Sequence, residues 1–180
     1  MDHTKFTDTI FKKVMAAVIL INNPEVDPET RQRNHEILFR SVGAAVYAKI
    51  YDMNAFDFEI DHTVGPGMDD RHFGLAKVAS ASVSTGALGL DGYVRTFINN
   101  SIGMAQDHAV KTARQSGKVP TVERIESPDC CKWCRSKAGR HENPDSSVFA
   151  RHDGCDGRII TRGFKSRNGL LNNYKKSSNQ

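Results

Sequence analysis

The chain has 180 residues, 38% of them apolar and 26% charged, with a formal net charge of +4. That length suits one ordinary domain, or one domain with a small appendage, and the modest apolar share limits the core it can bury. The longest apolar run, Val14 to Ile21, has eight residues, against the roughly 20 needed to cross a bilayer, so no membrane is expected.

Charge is unevenly distributed. Residues 1–110 hold 10 basic and 14 acidic side chains and sum to −4, whereas residues 111–180 hold 15 and 7 and sum to +8. A basic C-terminal part behind an acidic N-terminal part suits contact with a polyanion at one end, or simply a solvated surface.

Residues 4–21 carry Phe6, Ile10, Phe11, Val14, Met15 and Val18 at three- and four-residue spacings, which predicts an amphipathic helix. Lys12 and Lys13 ahead of the apolar run resemble the start of a secretory signal. No small-residue cleavage site follows, however, and Asn22-Asn23-Pro24 comes directly after. A packed helix in a reducing cytoplasm is therefore expected.

Asp27-Pro28-Glu29-Thr30 has the chemistry of a helix start, with an N-cap carboxylate and proline in the first turn. The helix is predicted to run to about Met53, burying Ile37, Leu38, Val42, Ala45, Val46 and Ile50. Phe56 to Ile60 alternates like a short strand, Gly65-Pro66-Gly67 breaks the chain, and Leu75 to Val83 suits a short helix. Asp69-Asp70-Arg71-His72 reads as a solvated turn, and His3, His35, His62, His72 and His108 as ordinary polar positions. Gly86 to Gly92 reads as a hinge.

A long helix is predicted from about Asp91 to Ser116, with Tyr93, Val94, Phe97, Ile98, Ile102, Ala105, Ala109 and Ala113 on its apolar face. Gly117 suits its C-terminal cap, and Pro120 prevents continuation. Short strands at Thr121 to Ile125 and Arg158 to Thr161 bracket a loop rich in Cys, Asp and Gly. The division expected is a helical domain over 1–118, a zinc-knuckle module over 119–165 and a flexible basic tail over 166–180. The fold class is mainly α with a small C-terminal zinc-stabilised β/loop module, α+β overall.

All four cysteines (130, 131, 134 and 155) fall within 26 residues. Such clustering in a cytosolic chain points to metal rather than to a disulfide framework. Cys131-Lys132-Trp133-Cys134 and His152-Asp153-Gly154-Cys155 each place two ligands two residues apart, so that a tight turn aims both at one point. Cys131, Cys134, His152 and Cys155 supply four ligands and leave no open position, the pattern of a structural zinc site. Cys130 can stand in for Cys131, and His141 for His152. Trp133 is expected to cover the knuckle. Lys132, Arg135, Lys137, Arg140, Arg151 and Arg158 offset the formal charge of −1 on such a site, and all of these but Arg151 are the residues that could meet a phosphate backbone.

The order Arg124-Ile125-Glu126-Ser127-Pro128-Asp129, Cys131-x-x-Cys134, Ala138-Gly139 and Arg151-His152-Asp153-x-Cys155-Asp156 resembles the C-terminal segment of the Mu F-like minor head proteins of tailed phages. The resemblance covers roughly residues 90–165, with Gly157 standing where the family has a closing cysteine. It implies a virion component, made in a bacterial host cytoplasm, that docks to phage capsid or portal proteins within a larger assembly and can lie near packaged DNA.

Two other functions fit the same residues. One is a nucleic-acid-binding zinc protein using the basic face and the tail Lys165, Arg167, Lys175 and Lys176. The other is a His–metal finger nuclease with His152 as catalytic base and Asp153 or Asp156 as a metal ligand, but its Cys-x-x-Cys would then lack a partner pair. No phosphate loop, nucleophile elbow or dinucleotide fingerprint is present, so no enzyme activity is expected.

Overall fold

The computed structural model describes residues 4–62, 76–77, 79–80, 90–151 and 157–166. The His152 and Cys155 positions, the Asp69 to His72 turn and the C-terminal tail lie outside these residues. The described part is mainly helical, with one small antiparallel sheet.

Helix α1 (Thr4–Ile21) buries Val14 and Val18 and rests Phe6, Ile10, Phe11 and Met15 against the same core. Helix α2 (Pro28–Phe58) begins as its sequence predicts. Asp27 accepts a hydrogen bond from the Thr30 amide at 2.9 Å, and this bonding holds its carboxyl below the ordinary carboxylate range. The helix continues one turn past Met53, so Phe56 to Ile60 is not a strand. Phe58 ends the helix, and Glu59 at φ 50° makes a left-handed cap. Alternation over so few residues could not outweigh the packing of Ala55 and Phe58 into the core.

The buried stripe of α2 is also displaced from the expected one. Phe39, Gly43, Val46, Tyr47, Ile50, Tyr51, Ala55 and Phe58 are buried, whereas Ala45 is exposed and Ile37 is 55% exposed. The side that α2 turns inward is the one on which Phe39 meets Phe97 edge-to-face at 4.9 Å. An aromatic pair with that much area sets the rotation of the helix more strongly than Ile37 can. His35, expected at an ordinary polar position, is fully buried in this stripe.

Helix α3 (Leu90–Gln115) agrees with the predicted span. It is buried on more than one face because α1 and α2 cover one side and the sheet the other. Gly117, at φ 74°, turns the chain out of it, its amide donating to the Arg114 carbonyl at 3.0 Å. Strand β1 (Lys118–Ile125) follows directly, and the sheet has the order β2-β1-β3. Strands β2 (Gly139–Glu142) and β3 (Arg158–Ser166) both run antiparallel to β1. The β1–β3 register slips between Pro120 and Val122, which accommodates a residue with no amide to donate.

Polar side chains fasten the sheet to the helices. Lys118 Nζ donates to the Phe58 and Glu59 carbonyls at 2.8 and 2.6 Å, capping the C-terminus of α2. Asn54 accepts from Thr161 Oγ1 at 2.5 Å, and Gln106 Nε2 donates to the Ile159 carbonyl at 3.0 Å. Arg114 binds Asn143 and Pro144, tying the loop after β2 to the last turn of α3. No helix among the described residues is long and apolar enough to cross a membrane.

Candidate metal centre

Strands β1 and β2 form a hairpin whose long connection, residues 126–138, contains the Cys-x-x-Cys. Cys131 is the N-cap of the one-and-a-half-turn helix α4 (Lys132–Ser136), and its Sγ accepts from the Cys134 amide at 3.4 Å. A sulfur that caps a turn carrying the second cysteine three residues on brings both thiols to one end of that turn. Cys134 is buried and Cys131 exposed. No disulfide joins Cys130, Cys131 and Cys134. Cys130 is half-buried, with its amide donating to the Ser127 carbonyl at 3.2 Å.

Register places Gly157, which follows the His152-to-Cys155 segment in sequence, at the same end of the sheet. The last residue of β1, Ile125, pairs with Arg158, the first of β3. The chain thus leaves β1 towards Cys131 from the same sheet end at which residue 157 enters β3. Arg151 donates to the Gly157 carbonyl, drawing together the two ends of the five-residue segment that contains His152 and Cys155. Among the described residues no group of three or more Cys, His, Asp or Glu side chains is gathered as for a metal ion. His152 and Cys155 are outside that set.

Beside the Cys-x-x-Cys turn lies a buried ion pair. The side chains of Arg124 and Glu126 are 0% and 3% exposed, and Arg124 Nε donates to Glu126 Oε1. Arg124 Nη1 donates to the Val148 and Ala150 carbonyls at 2.7 and 2.9 Å, and Nη2 approaches Cys134 Sγ at 3.6 Å. The Glu126 carboxylate occupies the space that a Cβ on Gly157 would fill. Both stand in the motif that carries the family resemblance, but neither is among the ligands or basic residues expected at the site. A further signal is their i, i+2 spacing, which puts two opposite charges on one side of an extended segment.

Trp133 is 42% exposed, with its ring centroid 5.6 Å from the Arg124 guanidinium carbon. It therefore shields the buried cation from one side. His141, the alternative fourth ligand, faces its Nε2 to the Lys137 carbonyl at 2.9 Å, an interaction that a metal at that nitrogen would displace. Of the basic residues considered for phosphate contact, Lys132, Arg135, Arg140 and Arg158 are exposed and Lys137 is half-buried. Arg135 donates to the Pro128 carbonyl and Lys137 to Ser147 Oγ, so two of the five already brace the knuckle.

The donor set suits zinc. Two soft sulfurs lie at one turn end, amide and guanidinium N–H groups point at them, and the sequence supplies an imidazole and a third thiol at His152 and Cys155, outside the described residues. A closed set of this kind supports structure and leaves no position for an activated water. Comparison with family models, with curated proteins and with solved structures finds no match for the chain.

Proposed function

We propose that this protein is a structural component of a tailed-phage head, docking to capsid or portal proteins and stabilised by one zinc ion on Cys131, Cys134, His152 and Cys155. The support for the metal part is the cysteine turn capped by Cys131, together with the Ile125–Arg158 pairing, which starts the chain towards Cys131 at the sheet end where Gly157 enters β3. The resemblance of residues 90–165 to minor head proteins supplies the assembly part. Large apolar side chains that the helical half leaves in water, Ile19 at 62%, Leu20 at 78% and Phe56 at 69% exposed, are available for protein contacts.

Zinc bound here supplies cross-linking of a loop region too poor in apolar residues to hold its own shape, and no chemical step. Metal analysis of the purified chain is expected to find one zinc per molecule, lost in Cys134→Ser. A metal-free protein with unchanged folding overturns the metal reading. For the role, mass spectrometry of purified phage particles is expected to detect the chain at low copy relative to the major capsid protein. Its absence from particles, together with salt-dependent DNA binding by the full chain, favours a nucleic-acid-binding zinc protein instead.

A further inference from the structure

We infer that Cys131 and Cys134 form a reversible disulfide in the metal-free chain, which makes the Cys-x-x-Cys turn a thiol–disulfide exchange site for a low-molecular-weight disulfide such as glutathione disulfide. The inference stands on the atoms of this turn and of Arg124, independently of the zinc reading.

Bridging two cysteines without moving the backbone requires Cα atoms within about 7 Å and side chains aimed at one another. Cys131 is the N-cap of α4 and Cys134 the third residue of the turn it opens, a turn closed by the Arg135 amide on the Cys131 carbonyl at 3.0 Å. Cys131 Sγ already lies 3.4 Å from the Cys134 amide nitrogen, from which it accepts a hydrogen bond. From there a side-chain rotation brings one sulfur to the other. Arg124 Nη2 donates to Cys134 Sγ at 3.6 Å. Arg124 itself is fixed in the central strand between Gly139 and Ile159, so the second sulfur has a set place beside the sheet. Cys130 is no competitor. It precedes the turn, its amide donates to the Ser127 carbonyl at 3.2 Å, and Cα atoms of adjacent residues, about 3.8 Å apart, are closer than the roughly 4.4 Å that a disulfide needs.

Access assigns the two roles. Cys131 is exposed and Cys134 buried, so an incoming disulfide meets Cys131 first. Cys131 Sγ attacks one sulfur of that disulfide, forming a mixed disulfide and releasing one small thiol. Cys134 Sγ then attacks Cys131 Sγ, and the second small thiol leaves. The two protons given up by the cysteines go to the two departing thiols. The cysteine pair loses two electrons and the incoming disulfide gains them, so the step needs no further oxidant. Exchange with a dithiol runs the same sequence backwards and restores the reduced turn.

The test is redox equilibration of the full-length protein, stripped of metal by a chelator, in glutathione buffers stepped from reducing to oxidising. Trp133, the one tryptophan of the chain, stands next to Cys134 in sequence and reports the bridge, since a disulfide quenches a neighbouring indole. Wild type is expected to lose two alkylatable thiols in one two-electron transition, with a matching fall in Trp133 fluorescence, both reversed by dithiothreitol. Peptide mapping is expected to find Cys131 joined to Cys134. Cys134→Ser is expected to stop at a glutathione adduct on Cys131, and Cys130→Ser to leave the transition unchanged.

Retention of all thiols in the most oxidising buffer overturns the inference, and so does a bridge that joins either cysteine to Cys130 or Cys155. Should Cys134→Ser fail to fold, the wild-type peptide map still decides. The zinc reading fails separately. A chain that forms the bridge and binds no zinc loses only the zinc reading. One that binds zinc while its metal-free thiols stay reduced loses only this inference.

Discussion

His35 is fully buried between α1 and α2, and burial, ahead of its other influences, lowers the pKa of its imidazole below the ordinary 6.5. A backbone hydrogen bond with Val18 works in the opposite direction, and the nearby Arg31 charge reinforces the lowering. The neutral ring is thus the native form. In the unfolded chain the ring takes up a proton near its ordinary value, while the fold resists it. Stability attributable to this residue is present above the unfolded pKa and declines as pH falls towards the lower native value. Urea unfolding at about pH 7.5 and about pH 5 is expected to show a smaller pH dependence in His35→Gln than in wild type; equal slopes would remove His35 from the acid response. Phe39 makes a different argument at the same scale. It is 0% exposed and packs edge-to-face on Phe97, so Phe39→Ala is expected to cost about 3–5 kcal/mol, measurable by denaturant unfolding.

At the scale of elements, α3 is the piece on which everything else is assembled. Its face towards the loop after β2 comes so close that a Cβ on Gly103 would lie 2.7 Å from the Phe149 carbonyl oxygen. Close approach here requires a residue without a side chain, because backbone on both sides leaves nothing that can swing away. Gly103→Ala is expected to destabilise by about 1–3 kcal/mol despite alanine's better helix propensity, and an unchanged melting temperature would show that the loop is not seated as described. The same loop is fastened by Asp107, which accepts from Ser146 Oγ at 3.0 Å, and by Arg114 on Asn143 and Pro144. This docking brings the chain from β2 back to the sheet end where Arg124 receives Val148 and Ala150. The helix and the candidate metal centre are thereby connected through one loop.

For the whole molecule, the proposed zinc site predicts that removing metal is felt first at one end. The helical core around Phe39, Ile50, Phe58, Val94 and Val110 is apolar, whereas residues 126–138 bury only the Cys134 side chain and, through its ion pair, that of Glu126. Adding a strong chelator is expected to raise hydrogen exchange and protease cleavage in residues 126–157 while the amides of α2 and α3 stay protected. Uniform loss of protection over the whole chain, or none anywhere, would contradict a local structural role for zinc. Among the described residues, β2 and β3 form the edges of the sheet, and they carry charge. Lys165 meets Glu142 at 2.6 Å and Arg162 meets Glu123 at 2.5 Å across the outer face of the sheet, a surface that discourages edge-to-edge association.

Local chemistry in the sequence determined a good deal. The Asp27-Pro28 start, the 90–115 helix, its Gly117 stop and the strands near 121–125 and 158–161 are all legible, because caps, breakers and 3.6-residue stripes act over a few residues. The Cys-x-x-Cys turn is legible for the same reason, since two ligands three positions apart need nothing distant to be placed. Only the tertiary structure decided which way α2 faces, because Phe39 finds Phe97 across 58 positions of sequence. It also decided the length of β3, the existence of β2, and the burial of His35. Arg124 and Glu126 show the reason most plainly. A charged pair looks like surface in a linear reading, and becomes a buried ion pair only when three strands and a docked loop close around it and remove the water.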